Sequence, residues 1–153
     1  MAALPFPVTR HIDTEILIQA SPRRVWQVLT DFAAYPDWNP FIVSLQGRPE
    51  WGERLAVRIR TGEGKEHLFK PVVLQATPPT RLRWLGRLGV PGLFDGEHDF
   101  ELERQGDVTL LHHRESFQGY LVPLLWKSVE PATRAGFEAM NRALRARAEA
   151  GAG

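Results

Sequence analysis

The sequence predicts an α+β fold in which a curved antiparallel sheet of seven strands wraps one long C-terminal helix, with two short helices after the first strand. Three observations predict it. Short segments of alternating apolar and polar residues recur from Phe41 to Phe117, divided by Gly, Pro and Asp turn signals. An amphipathic helical stripe then runs from Leu121 to Glu149. A sheet with one apolar face must bury that face, and this helix is the large element left to cover it.

The elements follow in order. His11 to Ala20 reads as a strand with Ile12, Ile16 and Ile18 on one face. Ser21-Pro22 opens a helix, because serine suits the N-cap and proline the first helical position. Val25, Val28, Leu29 and Phe32 continue the helical stripe. Tyr35 to Phe41 is a rigid aromatic corner with room for a second short helix, where Asp37 and Asn39 are expected to make local turn hydrogen bonds. Six strands follow: Phe41 to Gln46, Glu53 to Arg60, His67 to Gln75, Arg81 to Arg87, Phe94 to Arg104 and Asp107 to Phe117. Thr61 to Lys65 is a flexible hairpin tip, and Leu88 to Gly92 bends near a cavity mouth. In the last helix Pro123 fits the first turn, and Pro131 is expected to kink or restart it. Ala132, Gly136, Phe137, Met140 and Leu144 share its apolar face. A sheet wider than its helix can fill leaves an internal gap, which is where a ligand would sit.

Composition bounds the rest. The 153 residues fit a single domain spanning 1–153, with an ordered core from about 11 to 148. Apolar residues make up 43% of the chain, enough for a core, and the net charge of +1 gives no drive toward nucleic acid. No cysteine is present, which excludes disulfides and thiolate chemistry. No apolar run approaches the roughly 20 residues of an integral membrane segment. Met1 to Val8 is too short and proline-interrupted for a secretory signal, so a cytoplasmic protein is expected. The tail from Ala148 to Gly153 is expected to fray. A homodimer is left open.

The two strands before the last helix carry the sharpest functional signal. A turn centred on Gln105-Gly106 pairs Phe94 with Phe117, Gly96 with Glu115, His98 with His113, Phe100 with Leu111 and Leu102 with Thr109. The opposite face then pairs Glu97 with Arg114 and Asp99 with His112, with matched charges. Two histidines and a glutamate thus share a face that is otherwise core. His98, His113 and Glu115 are the candidate catalytic residues, since a glutamate can fix an imidazole tautomer and a histidine can move protons near neutral pH. The same cluster also reads as a buried polar network that holds the sheet together. It has the composition of a two-histidine, one-carboxylate site, but a flat sheet face does not make ligands converge, so no metal or other cofactor is expected. Trp38, Phe69, Trp84, Phe100, Phe117, Phe137 and Met140 are candidate ligand-binding walls, and Asn141 can offer an amide to a ligand carbonyl. His11, His67 and His112 are expected at solvent or an edge, and Arg142, Arg145 and Arg147 on a solvated helix end.

The segments "ILIQASPRRVWQVLTDFAAYPDWNPFI", "LRWLGRLGVPGLFDGEHDFEL", "HHRESFQGYLVPLL" and "GFEAMNRALRARAE" carry a likeness over about Ile12 to Ala148. The chain resembles the START-like, birch-pollen-allergen-like superfamily, and within it the polyketide cyclase/dehydrase and lipid transport group. The resemblance implies the helix-grip fold and a small hydrophobic ligand, aromatic, polyketide-like or lipid-like, in an internal cavity. It also implies two alternatives: a cyclase or dehydratase that uses the His/His/Glu cluster for acid–base catalysis, and a protein-interaction module like the chaperone activators of that superfamily.

Overall fold

The computed structural model describes residues 8–62 and 64–151. Among the described residues eight strands and three α-helices follow one another as β1 (Val8–Ile18), α1 (Pro22–Thr30), α2 (Tyr35–Trp38), β2 (Ile42–Gln46), β3 (Ala56–Arg60), β4 (Glu66–Phe69), β5 (Val72–Thr77), β6 (Arg81–Arg87), β7 (Asp95–Gln105), β8 (Val108–Gly119) and α3 (Val122–Ala150). A short 3-10 turn at Phe32–Ala34 joins α1 to α2. The Ser21 hydroxyl accepts from the Arg24 amide at 3.2 Å, with Pro22 behind it, so the N-cap signal acts as the sequence implies.

The sheet differs from the expected seven strands. A five-stranded sheet of order β1-β8-β7-β6-β5 stands beside a three-stranded sheet of order β2-β3-β4. The expected strand from His67 to Gln75 is broken at Lys70-Pro71, because proline has no amide to give to a ladder. Its second half, β5, moves to the larger sheet. Residues near the break still join the two sheets: Leu55 donates to the Pro71 carbonyl at 2.8 Å, Val73 to Glu53 at 2.9 Å and Gly52 to Val73 at 2.9 Å.

The β7–β8 register is also corrected. His98 lies opposite Glu115, Phe100 opposite His113, and Leu102 opposite Leu111. The loop is Gly106-Asp107, with Gly106 at φ 63°, the glycine-first pattern of a type II′ turn. The expected loop lay one position earlier, so one arm is displaced by two residues. An even displacement keeps every side chain on its expected face. On the outer face Asp99 replaces Glu97 as the partner of Arg114 (3.2 Å), Glu101 also binds it (2.7 Å), and His112 binds Glu103 (2.9 Å) rather than Asp99.

α3 runs unbroken through Pro131 as one 29-residue helix, rather than restarting there. Its buried residues include Phe137, Met140, Asn141, Leu144 and Ala148. The expected fraying from Ala148 is also corrected: Arg24 donates to the carbonyls of Ala148 and Arg147 at 3.2 Å each, which ties the helix end to α1. Ala152 and Gly153 lie outside the described residues, as do residues 1–7 and Glu63 of the expected hairpin tip. No helix among the described residues is long and apolar enough to cross a membrane.

Candidate functional site

The core is filled unevenly. α3 packs on β1 and α1, and in its C-terminal half Phe137, Met140 and Leu144 are fully buried, with Phe137 against Phe41, His98 and His113. The N-terminal half lines a gap with Leu125, Ser128, Val129, Ala132 and Thr133. The gap is a cavity of about 410 Å³. Val57 and Ile59 of β3, Phe69 of β4, Trp84 of β6 and Phe117 of β8 give it apolar walls. Thr61, His67 and Arg87 line it among more exposed residues, and His98 and Glu115 meet in its wall.

Cross-strand pairing puts His98 and Glu115 together, with His98 Nδ1 3.5 Å from Glu115 Oε1. Behind His98 lies His113, fully buried, with Nε2 of each ring 2.7 Å from the other. The His113 ring stacks on Phe137 at 3.9 Å and on Phe100 at 4.4 Å between centroids. His113 Nδ1 is 2.7 Å from Asn141 Oδ1. The Asn141 amide donates to Thr14 Oγ1 at 2.9 Å, and Thr14 donates to the His113 carbonyl at 2.7 Å. A continuous polar line therefore runs from the cavity through β7 and β8 to α3 and β1.

Burial sets the charge states along this line. It lowers the His98 pKa well below the ordinary 6.5, and the neighbouring His113 lowers it further. Burial lowers His113 to about 3, against the opposing effects of its Asn141 bond and of Asp99. Burial raises Glu115 to about 8. The Glu115 side chain is 16% exposed, into the cavity, so that rise holds most fully when water is excluded. Near neutral pH the site thus presents a carboxylic acid beside a neutral imidazole: one group able to give a proton and one able to take it.

Gly96 makes room for the carboxyl, since a Cβ at that position would strike Glu115 Oε2. Of the expected wall residues, Phe69, Trp84 and Phe117 line the cavity. Phe100, Phe137, Met140 and Asn141 are buried in the packed half, and Trp38 packs edge-on against Tyr35 at 5.0 Å in the aromatic corner. Asn141 meets His113 where the sequence suggested a ligand carbonyl. Among the described residues no cluster of three His, Cys, Asp or Glu side chains is arranged to hold a metal. His67 is exposed on the edge strand β4, as expected, but its place in the cavity lining was not anticipated, nor was the part of Gly96 in seating the Glu115 carboxyl. The signal for His67 was available, because it lies two residues before Phe69 and so shares its face.

Solved structures place this geometry on a known scaffold. The di-domain ARO/CYC StfQ from the steffimycin biosynthetic pathway is similar with a TM-score of 0.75 and 13% identity, over 93% of this chain and 51% of that one. A norcoclaurine synthase point mutant from Thalictrum flavum, in complex with a transition state analogue, is similar with a TM-score of 0.72 and 19% identity, over 95% of this chain and 97% of that one. A START superfamily protein from Mycobacterium smegmatis gives a TM-score of 0.70 and 23% identity, over 92% of this chain and 97% of that one. The chain thus spans about half the length of the di-domain ARO/CYC protein. A comparison with curated protein sequences finds no match. The family model described as polyketide cyclase/dehydrase and lipid transport matches residues 9–149, so the chain belongs to that family and has its START-like, helix-grip fold.

Proposed function

We propose that this protein binds a small hydrophobic molecule, aromatic or polyketide-like, in the cavity between the sheets and α3. The observation that carries the reading is an apolar cavity of about 410 Å³ into which one His98–Glu115 pair converges. Apolar walls supply affinity by removing ligand surface from water, and a few placed polar groups fix orientation. Phe69, Trp84 and Phe117 are the proposed aromatic contacts. Native mass spectrometry of the purified protein, followed by calorimetry with bicyclic aromatic probes, tests this. Probe binding that weakens in Trp84→Ala and Phe117→Ala is expected. A protein that retains no probe at solubility-limiting concentrations would refute the reading. The proposed setting is the cytoplasm, checked by fractionating expressing cells.

A second reading, a cyclase or dehydratase, is favoured by the pairing of Glu115, raised to about 8, with neutral His98. In a dehydration His98 takes the proton α to a ketone while Glu115 protonates the β-hydroxyl. The C–O bond breaks, a C=C bond forms and water leaves. His113 does not reach the cavity, and its role in this reading is to hold His98. Measuring binding and turnover separately in His98→Gln and Glu115→Gln separates the readings. Retained affinity with lost turnover identifies an enzyme, whereas absent turnover in the unaltered protein identifies a carrier.

A further inference from the structure

We propose that Thr14 and Asn141, which do not line the cavity, are positioning residues that lock His98 in one tautomer, leaving its Nδ1 as a proton acceptor beside Glu115 for a ligand hydroxyl. The lock follows from counting donors. A threonine hydroxyl has one proton, and Thr14 gives it to the His113 carbonyl at 2.7 Å. Thr14 Oγ1 therefore receives from the Asn141 amide nitrogen at 2.9 Å. That turns Asn141 Oδ1, an acceptor, toward His113 Nδ1 at 2.7 Å, so the proton of His113 is on Nδ1. His113 is sealed between Phe100 and Phe137, where a cation is costly, so its Nε2 carries a lone pair. His98 Nε2, 2.7 Å away, must then be the donor. His98 Nδ1 is left with its lone pair.

Nδ1 faces Glu115 Oε1 across 3.5 Å, longer than a direct hydrogen bond. The other oxygen of Glu115, Oε2, lies over Gly96. One group that both donates and accepts can bridge the pair. An alcohol, phenol or enol does so, donating to Nδ1 and accepting from the protonated carboxyl. An ether lacks the proton that Nδ1 needs. This polarity rests on the reading that the cavity takes a small apolar ligand, and it narrows that ligand to one bearing a hydroxyl.

The test uses the full chain with isotope-labelled histidine and no ligand. Long-range proton–nitrogen spectra at neutral pH are expected to show His113 protonated on Nδ1 alone and His98 on Nε2 alone. A proton on His98 Nδ1 overturns the proposal. Thr14→Val frees the Asn141 amide to turn over, so His98 is expected to become a mixture of tautomers, and Thr14→Ser to restore the single form. A single unchanged tautomer in Thr14→Val also overturns it. In the unaltered protein β-naphthol is expected to bind about tenfold tighter than its methyl ether, because the ether leaves Nδ1 buried and unpaired. Equal affinities refute the hydroxyl preference while the cavity stands. Binding of neither compound refutes the cavity reading, and the spectra still judge the lock by themselves.

Discussion

Glu115 depends on an absent side chain. Its carboxyl occupies the space that a Cβ on Gly96 would take, and the backbone of Gly96 is ordinary strand, so space alone requires glycine there. Gly96→Ala is expected to push the carboxyl out of its seat, bring its pKa down from about 8 toward the ordinary 4.5, and cost roughly 1–3 kcal/mol of stability through overpacking. Carboxyl titration by NMR and chemical denaturation check the two effects. Tyr35 shows the same economy in a buried hydroxyl. It is fully buried, donates to the Leu29 carbonyl near the end of α1, and is held as the neutral phenol by burial. Tyr35→Phe is expected to lose about 1–3 kcal/mol in a denaturant melt, because Leu29 keeps a buried carbonyl without that partner.

Among the elements, α3 brings the cavity and the packed core together. Gly136 lies against the Phe41 ring, and a Cβ there would penetrate it. Gly136→Ala gains about 1 kcal/mol of helix propensity, yet overpacking against a rigid ring costs about 1–3 kcal/mol, so a net loss in thermal stability is expected. The helix itself was legible from its apolar spacing, and so was its packed end. The cavity end was not, because which side chains fail to meet depends on the distance between elements. The strands were legible by parity: His98, His113 and Glu115 share an inward face as alternation requires. Their register was missed by two residues, although a glycine-first two-residue loop at Gly106 would have fixed it. The strand expected from His67 to Gln75 runs through Pro71, whose missing amide is the reason for a break there. The bonds from Asn141 to His113 and Thr14 join residues far apart in the chain, and no local pattern announces them.

For the whole molecule the buried titratable groups shape a pH profile. Between the ordinary 4.5 and about 8 the native state keeps the Glu115 proton while the unfolded chain releases it. Stability therefore falls as pH rises through that window, by an amount on the order of 2 kcal/mol after allowing for exposure to the cavity. Below 6.5 the unfolded chain takes up protons on two histidines that the native state refuses, so stability falls again as pH drops toward 3. Chemical denaturation is expected to show a maximum near pH 6.5, and Glu115→Gln is expected to flatten the alkaline limb and to steepen the acid limb between 4.5 and 6.5, where the carboxyl opposes the histidines. A profile that keeps its alkaline slope in that variant would assign the slope to another group.

The break at Pro71 has a mechanical outcome. Val57, Ile59 and Phe69 belong to the small sheet, Trp84 and Phe117 to the large one, and three backbone hydrogen bonds bridge the seam near Pro71. A guest that touches both sets acts as a rivet between two plates. Amide exchange at β4, whose side chains are largely exposed, should then slow on ligand addition far more than exchange at β7, which is already enclosed by neighbours on either side.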